Sequence, residues 1–119
     1  MYKAWGKSVA IDLLDCPHEM IDNKETVLDF IQKVIKYIDM KAHGPTYIER
    51  FGEIGKHPGP GYSAMQFIET SSITIHCDEF DNRVFIDIFS CKDFDADAAA
   101  QFSKEYFKAK EIKYTPLER

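Results

Sequence analysis

The chain has only three cysteines, Cys16, Cys77 and Cys91, and no CxxC pair. An odd count without metal-ligand spacing excludes a disulfide framework and a structural zinc site, and it fits a reducing cytosol. There is no surplus of positive charge. The net charge of −5 is a poor match to nucleic acid or to an anionic membrane surface. No apolar run approaches the ~18 residues of a membrane span. The start, MYKAWGKSVAIDLLD, lacks a long apolar stretch and carries Asp12 and Asp15, so it does not read as a signal peptide. A cytoplasmic location is expected. Linkers, low-complexity tracts and internal repeats are also missing.

What remains is a sequence of 119 residues, 45% hydrophobic and 13% aromatic. That is enough for one real core, and a single domain over 1–119 is expected. GKSVAIDLLDC alternates apolar residues at 9, 11 and 13 and reads as a strand. DNKETVLDFIQKVIKYIDMKA repeats apolar residues at helical spacing, with Asp22 or Asn23 as cap and His43-Gly44-Pro45 as its stop. TYIERFGEI is a strand. GKHPGPG is a loop, because three glycines and two prolines in seven residues exclude regular structure. YSAMQFIE, SITIHCD and RVFIDIFSC read as strands, the last two joined by a turn at Asp81-Asn82. DADAAAQFSKEYFKAK is a helix capped by Asp95, and EIKYTPLE closes as a strand.

The expected order is written β-α-β-β-β-α-β, with the hydroxyl run Thr70-Ser71-Ser72 as a polar break between YSAMQFIE and SITIHCD. This describes an α/β (α+β) two-layer sandwich, an antiparallel sheet with two helices on one face. The other face is left bare. Along residues 84–91 both faces are substantially apolar, Val84, Ile86, Ile88 and Ser90 against Phe85, Asp87, Phe89 and Cys91. A second sheet is expected to cover it, most simply in a homodimer.

Read singly, the reactive residues are bland. A Ser/Thr cluster between strands is usually a turn, and a lone strand histidine is usually structural. Their spacing is more specific. Ser63 lies eight residues before Ser71, His76 five after it, and Cys91 fifteen after His76. In this spacing the chain resembles the small prokaryotic S-adenosylmethionine decarboxylases, which make a pyruvoyl cofactor by cutting themselves at a serine. The opening is similar too, with Gly6, Asp12, Leu13, Cys16 and Glu19 in the family's pattern.

The resemblance implies self-cleavage between Thr70 and Ser71, and it gives each residue a task. Ser71 Oγ attacks the Thr70 carbonyl and turns the amide into an ester, an intramolecular step with a very large effective concentration. His76 takes the Cα proton in the β-elimination that follows, since an imidazole changes charge near neutrality. Ser63 hydrogen-bonds the intermediate. The pyruvoyl group then forms a Schiff base with a substrate amine and accepts electrons as carbon dioxide leaves. Cys91 returns a proton to the carbanion. The implied substrate is S-adenosylmethionine, its product feeding spermidine synthesis, with no metal involved and the active site between two protomers.

Several positions depart from the family pattern. Thr70 stands where Glu is usual, with Glu69 one place earlier, and Ser72 stands where His is usual. By composition, Thr70 and Ser72 are rival nucleophiles. The glutamate that holds ribose is replaced by Phe80, with Glu79 one residue early. The aromatic that stacks on adenine is replaced by His57. Glu69, His57, Glu79 and Phe80 are therefore the candidate substrate contacts. These changes leave open a pyruvoyl-dependent ornithine or arginine decarboxylase. They also leave open a non-processing homologue that binds a small metabolite or partner.

Overall fold

The computed structural model describes residues 3–119. The chain runs β1 (Lys7–Leu14), α1 (His18–Ile21), α2 (Lys24–Tyr37), β2 (Ala42–Phe51), β3 (Gly61–Ile68), β4 (Ser71–Asp78), β5 (Arg83–Ser90), α3 (Ala96–Phe107) and β6 (Glu111–Glu118). The strands form one sheet in the order β2-β3-β4-β5-β1-β6, and every neighbouring pair is antiparallel. This is the expected two-layer sandwich. Four strands separate the long helices, matching the four segments named from the sequence and one more than the order β-α-β-β-β-α-β counts, because the hydroxyl run begins at a full reversal of the chain. Ile68 pairs with Ser71 across a two-residue turn, Glu69-Thr70.

Alternation decides the faces. Val9, Ile11 and Leu13 of β1, Ile73 and Ile75 of β4, and Val84, Ile86 and Ile88 of β5 are all buried on one face. Helices α2 and α3 close that face. Their seam is aromatic: the Phe30 ring lies 4.8 Å from Phe107 and 5.3 Å from Tyr106. Asn23 caps α2 by accepting from the Glu25 and Thr26 amides, and Asp95 caps α3 by accepting from Ala98.

The α2 helix stops earlier than its periodicity suggests. It ends at Tyr37, and Asp39 turns the chain with φ 58°. His43, Gly44 and Pro45 instead lie inside β2, at an irregularity in its pairing with β3. Gln66 compensates from the buried face of β3, donating to the Gly44 carbonyl at 3.1 Å. The short α1 was not anticipated; four residues carry too little periodicity to signal a helix. The last strand matches its expected bounds, with Pro116 tolerated because β6 is an edge.

Among the described residues none forms a layer over the second face. Tyr47, Phe51, Met65, Phe67 and Leu117 are all exposed there. Among the described residues no helix is long and apolar enough to cross a membrane.

Candidate active site

The β3–β4 hairpin builds the first half of the site. Two-residue hairpins favour turn residues with positive φ, which match the twist of the strands. Glu69 and Thr70 do not have it; the positive value falls on Ser71, at φ 155°. Only glycine adopts such a backbone freely, and other residues pay on the order of 1–3 kcal/mol. The peptide bond with the strain beside it is Thr70–Ser71.

That bond is held from both sides. The Thr70 carbonyl accepts the Cys91 N–H at 2.9 Å, and the Glu69 N–H donates to the Lys41 carbonyl at 2.9 Å. Thr70 Oγ1 accepts from Ser90 Oγ at 2.8 Å. Cys91 directly follows β5 and is exposed. It opens on a cleft of about 190 Å³ lined by Trp5, Gly6, Lys7, Asp93 and Glu118. Gly6 fits here because a Cβ would sit 2.5 Å from the Ser90 carbonyl oxygen and 3.0 Å from the Cys91 Cα.

The second half lies at the far end of the same strands. Ser63 and His76 are directly opposed on β3 and β4, and Ser63 Oγ is 2.8 Å from His76 Nδ1. The histidine is exposed on the open face. Just beyond it, Glu79 accepts from Arg50 Nη1 at 2.6 Å and Nη2 at 2.9 Å. Its side chain is only 6% exposed. The Arg50 guanidinium also covers the Tyr62 ring at 4.8 Å. Phe80 is exposed, with its ring edge-on to His57 at 6.1 Å. Phe80 and His57 thus meet beyond the end of β4, while Glu79 is held by Arg50 and lies 4.0 Å from His18 Nε2. Glu69 stays at the hairpin turn, beside Lys41, Thr70 and Lys92.

The two halves do not meet within one chain. Ser71 and His76 are five residues apart on β4, roughly 16 Å at the rise of an extended strand. An odd separation also turns alternate side chains to opposite faces. Among the described residues, no cluster of three His, Cys, Asp or Glu side chains could hold a metal ion. The other thiols are set apart by burial, which pushes Cys16 up to about 11 and Cys77 up to about 12.

Residues 7–119 match the family model described as S-adenosylmethionine decarboxylase. The chain belongs to the S-adenosylmethionine decarboxylase family. Relatives include the S-adenosylmethionine decarboxylase proenzymes of Clostridium botulinum. The chain is 33% identical to those of the Langeland and Hall strains over 111 residues, which is 91% of this chain and 90% of theirs. The fold matches a crystal structure of the adenosylmethionine decarboxylase from Aquifex aeolicus. That comparison gives a TM-score of 0.82 at 21% identity and covers 99% of this chain and 92% of that one.

Within this S-adenosylmethionine decarboxylase scaffold, some residues at the site escape a reading by spacing. Ser90 had a usable signal, a hydroxyl ending the apolar series Val84, Ile86, Ile88. Met40, Lys92 and Arg50 gave none, because the turns that bring them in are set by tertiary packing.

Proposed function

We propose that the chain is a self-processing decarboxylase precursor, cut between Thr70 and Ser71, acting on S-adenosylmethionine as its relatives are named to do. The observation that carries this reading is the pairing of a strained Ser71 with a Thr70 carbonyl that already accepts the Cys91 amide at 2.9 Å. The bound amide favours negative charge on the carbonyl oxygen as Ser71 Oγ attacks, the arrangement of an oxyanion hole. Conversion to an ester relaxes the backbone at Ser71. These features suit Ser71 as the source of a pyruvoyl group, whose ketone supplies an electron sink for decarboxylation of an amine-bearing substrate. Cys91, exposed beside the new terminus, is the group in reach to return a proton to substrate carbon.

The proton at Ser71 Cα still needs a base, and His76 of the same chain is roughly 16 Å away along β4. A two-fold dimer through the open sheet face resolves this. It would carry the Ser63–His76 pair of one protomer to the Thr70–Ser71 bond of its partner. The exposed Tyr47, Met65 and Phe67 on that face support the same arrangement. In that dimer Phe80 and His57 of one protomer would contact substrate held at the other's Cys91, with Glu69 contributed from the cut protomer; Glu79 would do so only on leaving Arg50.

A second reading keeps the chemistry and changes the substrate. Glu79 is engaged by Arg50, and Phe80 occupies the ribose-binding position, so a plain basic amino acid such as ornithine or arginine is the competitor. Release of labelled carbon dioxide from carboxyl-labelled S-adenosylmethionine, ornithine and arginine separates the two. Turnover of S-adenosylmethionine alone is expected; turnover of ornithine or arginine alone would refute the first substrate assignment. A chain that stays unprocessed and is inactive on all three would point to a non-processing homologue that only binds.

A further inference from the structure

A chain of hydroxyls and sulfur lies behind the Thr70–Ser71 bond. Ser90 closes β5 on the apolar face and is fully buried. Its Oγ accepts the Lys92 N–H at 3.0 Å and donates to Thr70 Oγ1 at 2.8 Å. Thr70 Oγ1 in turn donates to Met40 Sδ at 3.3 Å. Ser90 Oγ also lies 3.7 Å from Met40 Sδ, but donation to the nearer Thr70 Oγ1 lets each hydroxyl give its one proton and accept one, so the chain runs in a single direction. The Lys92 ammonium bridges the same gap, donating to the Asp39 carbonyl at 2.7 Å and carboxylate at 3.1 Å. The 39–40 turn and the 90–92 segment are therefore fastened to each other and to the Thr70 side chain.

The backbone contacts at Glu69 and at the Thr70 carbonyl fix two points of the turn; the side-chain clamp fixes a third. Three restraints on adjoining atoms limit how far the Thr70 carbonyl can turn. An unfavourable backbone such as that of Ser71 persists only where its surroundings over-determine it. We propose that Ser90 is a positioning residue for the chain's own scission, acting through Thr70 Oγ1 and Met40 to hold the Thr70 carbonyl carbon in the path of Ser71 Oγ. The inference rests on the proposed self-cleavage. In the step concerned, the Ser71 Oγ–carbon bond forms, the Thr70–Ser71 C–N bond breaks, and the hydroxyl proton ends on the Ser71 nitrogen. The Ser90 hydroxyl hydrogen-bonds none of these atoms, and its effect is confined to this step. Loss of the Cα proton comes afterwards and belongs to His76.

The test follows intact mass over time for the wild-type chain, Ser90→Ala, Thr70→Val and the double variant, with and without hydroxylamine, which cuts an ester but not a peptide bond. Ser90→Ala and Thr70→Val should each slow cleavage about 10-fold or more, since small misplacements of reacting groups are costly. The double variant should be no slower than the worse single one, because both changes break one chain of contacts. Hydroxylamine should release no fragment from Ser90→Ala beyond its own slow background, yet cut His76→Ala, which stalls after the ester forms. Melting midpoints in a Ser71→Ala background report folding separately. Wild-type rates in a folded Ser90→Ala or Thr70→Val protein overturn the proposal, as do additive losses in the double variant. A wild-type chain that stays whole removes the self-cleavage reading and this proposal together.

Discussion

The distance between Ser71 and His76 makes a prediction that one protomer's defect can be repaired by another. Five residues of strand separate them by roughly 16 Å, and a proton transfer needs its partners within about 3 Å. No rotamer of His76 spans the difference, so in one chain it cannot reach the Ser71 Cα. In a two-fold dimer each site holds Ser71 and Cys91 of one protomer with Ser63 and His76 of the other. Ser71→Ala and His76→Ala should each remain uncut alone. Co-expressed with different tags in equal amounts, random pairing places about half of the chains in mixed dimers. One of the two sites in a mixed dimer is complete, and the chain cut there is the His76→Ala chain. About half of the His76→Ala chains should be cleaved and none of the Ser71→Ala chains. The assay is denaturing mass spectrometry of each tagged population. Absence of cleavage in the mixture would refute the shared site, and cleavage of His76→Ala by itself would refute the role of His76.

Cys91→Ala should give the same fragment yield as wild type and lower the rate of carbon dioxide release by at least about 100-fold, the scale of losing a general acid; unchanged release would remove Cys91 from the reaction. Gly6→Ala places a methyl 2.5 Å from the Ser90 carbonyl oxygen, so it should displace Cys91 and slow self-cleavage about 10-fold or more in a protein that remains folded, read from the same mass time course. Iodoacetamide on the native protein should label Cys91 and spare Cys16 and Cys77, whose thiols burial holds at about 11 and about 12, with peptide mapping as the readout. The same shifts have a consequence for stability. The folded state keeps protons that the unfolded thiols lose, so stability should fall as pH rises between about 9 and 12, measured by urea midpoints.

The fold was legible because its elements obey simple periods. Alternation at residues 9, 11 and 13 and at 84, 86 and 88 named the buried face, and Asn23 and Asp95 marked helix starts that proved to be side-chain caps. The early stop of α2 was not legible, since Ile38 and Met40 continue the apolar pattern while Asp39 takes a left-handed turn. At the candidate site, linear spacing singled out Ser63, Ser71, His76 and Cys91 as candidates but said nothing of which strand end each occupies. Register supplies that: Ser63 opposes His76, whereas Ser71 opposes Ser90. Glu79 looked available to substrate in the sequence. Its bidentate partner Arg50 lies 29 residues away and became visible only when β2 was laid beside β3.

Denaturing mass spectrometry of the purified wild-type protein tests the central claim most directly. The account predicts two species, residues 1–70 and residues 71–119, the second lacking a free amine and carrying a pyruvoyl group at its start. A single intact species of 13.8 kDa after long incubation would contradict it.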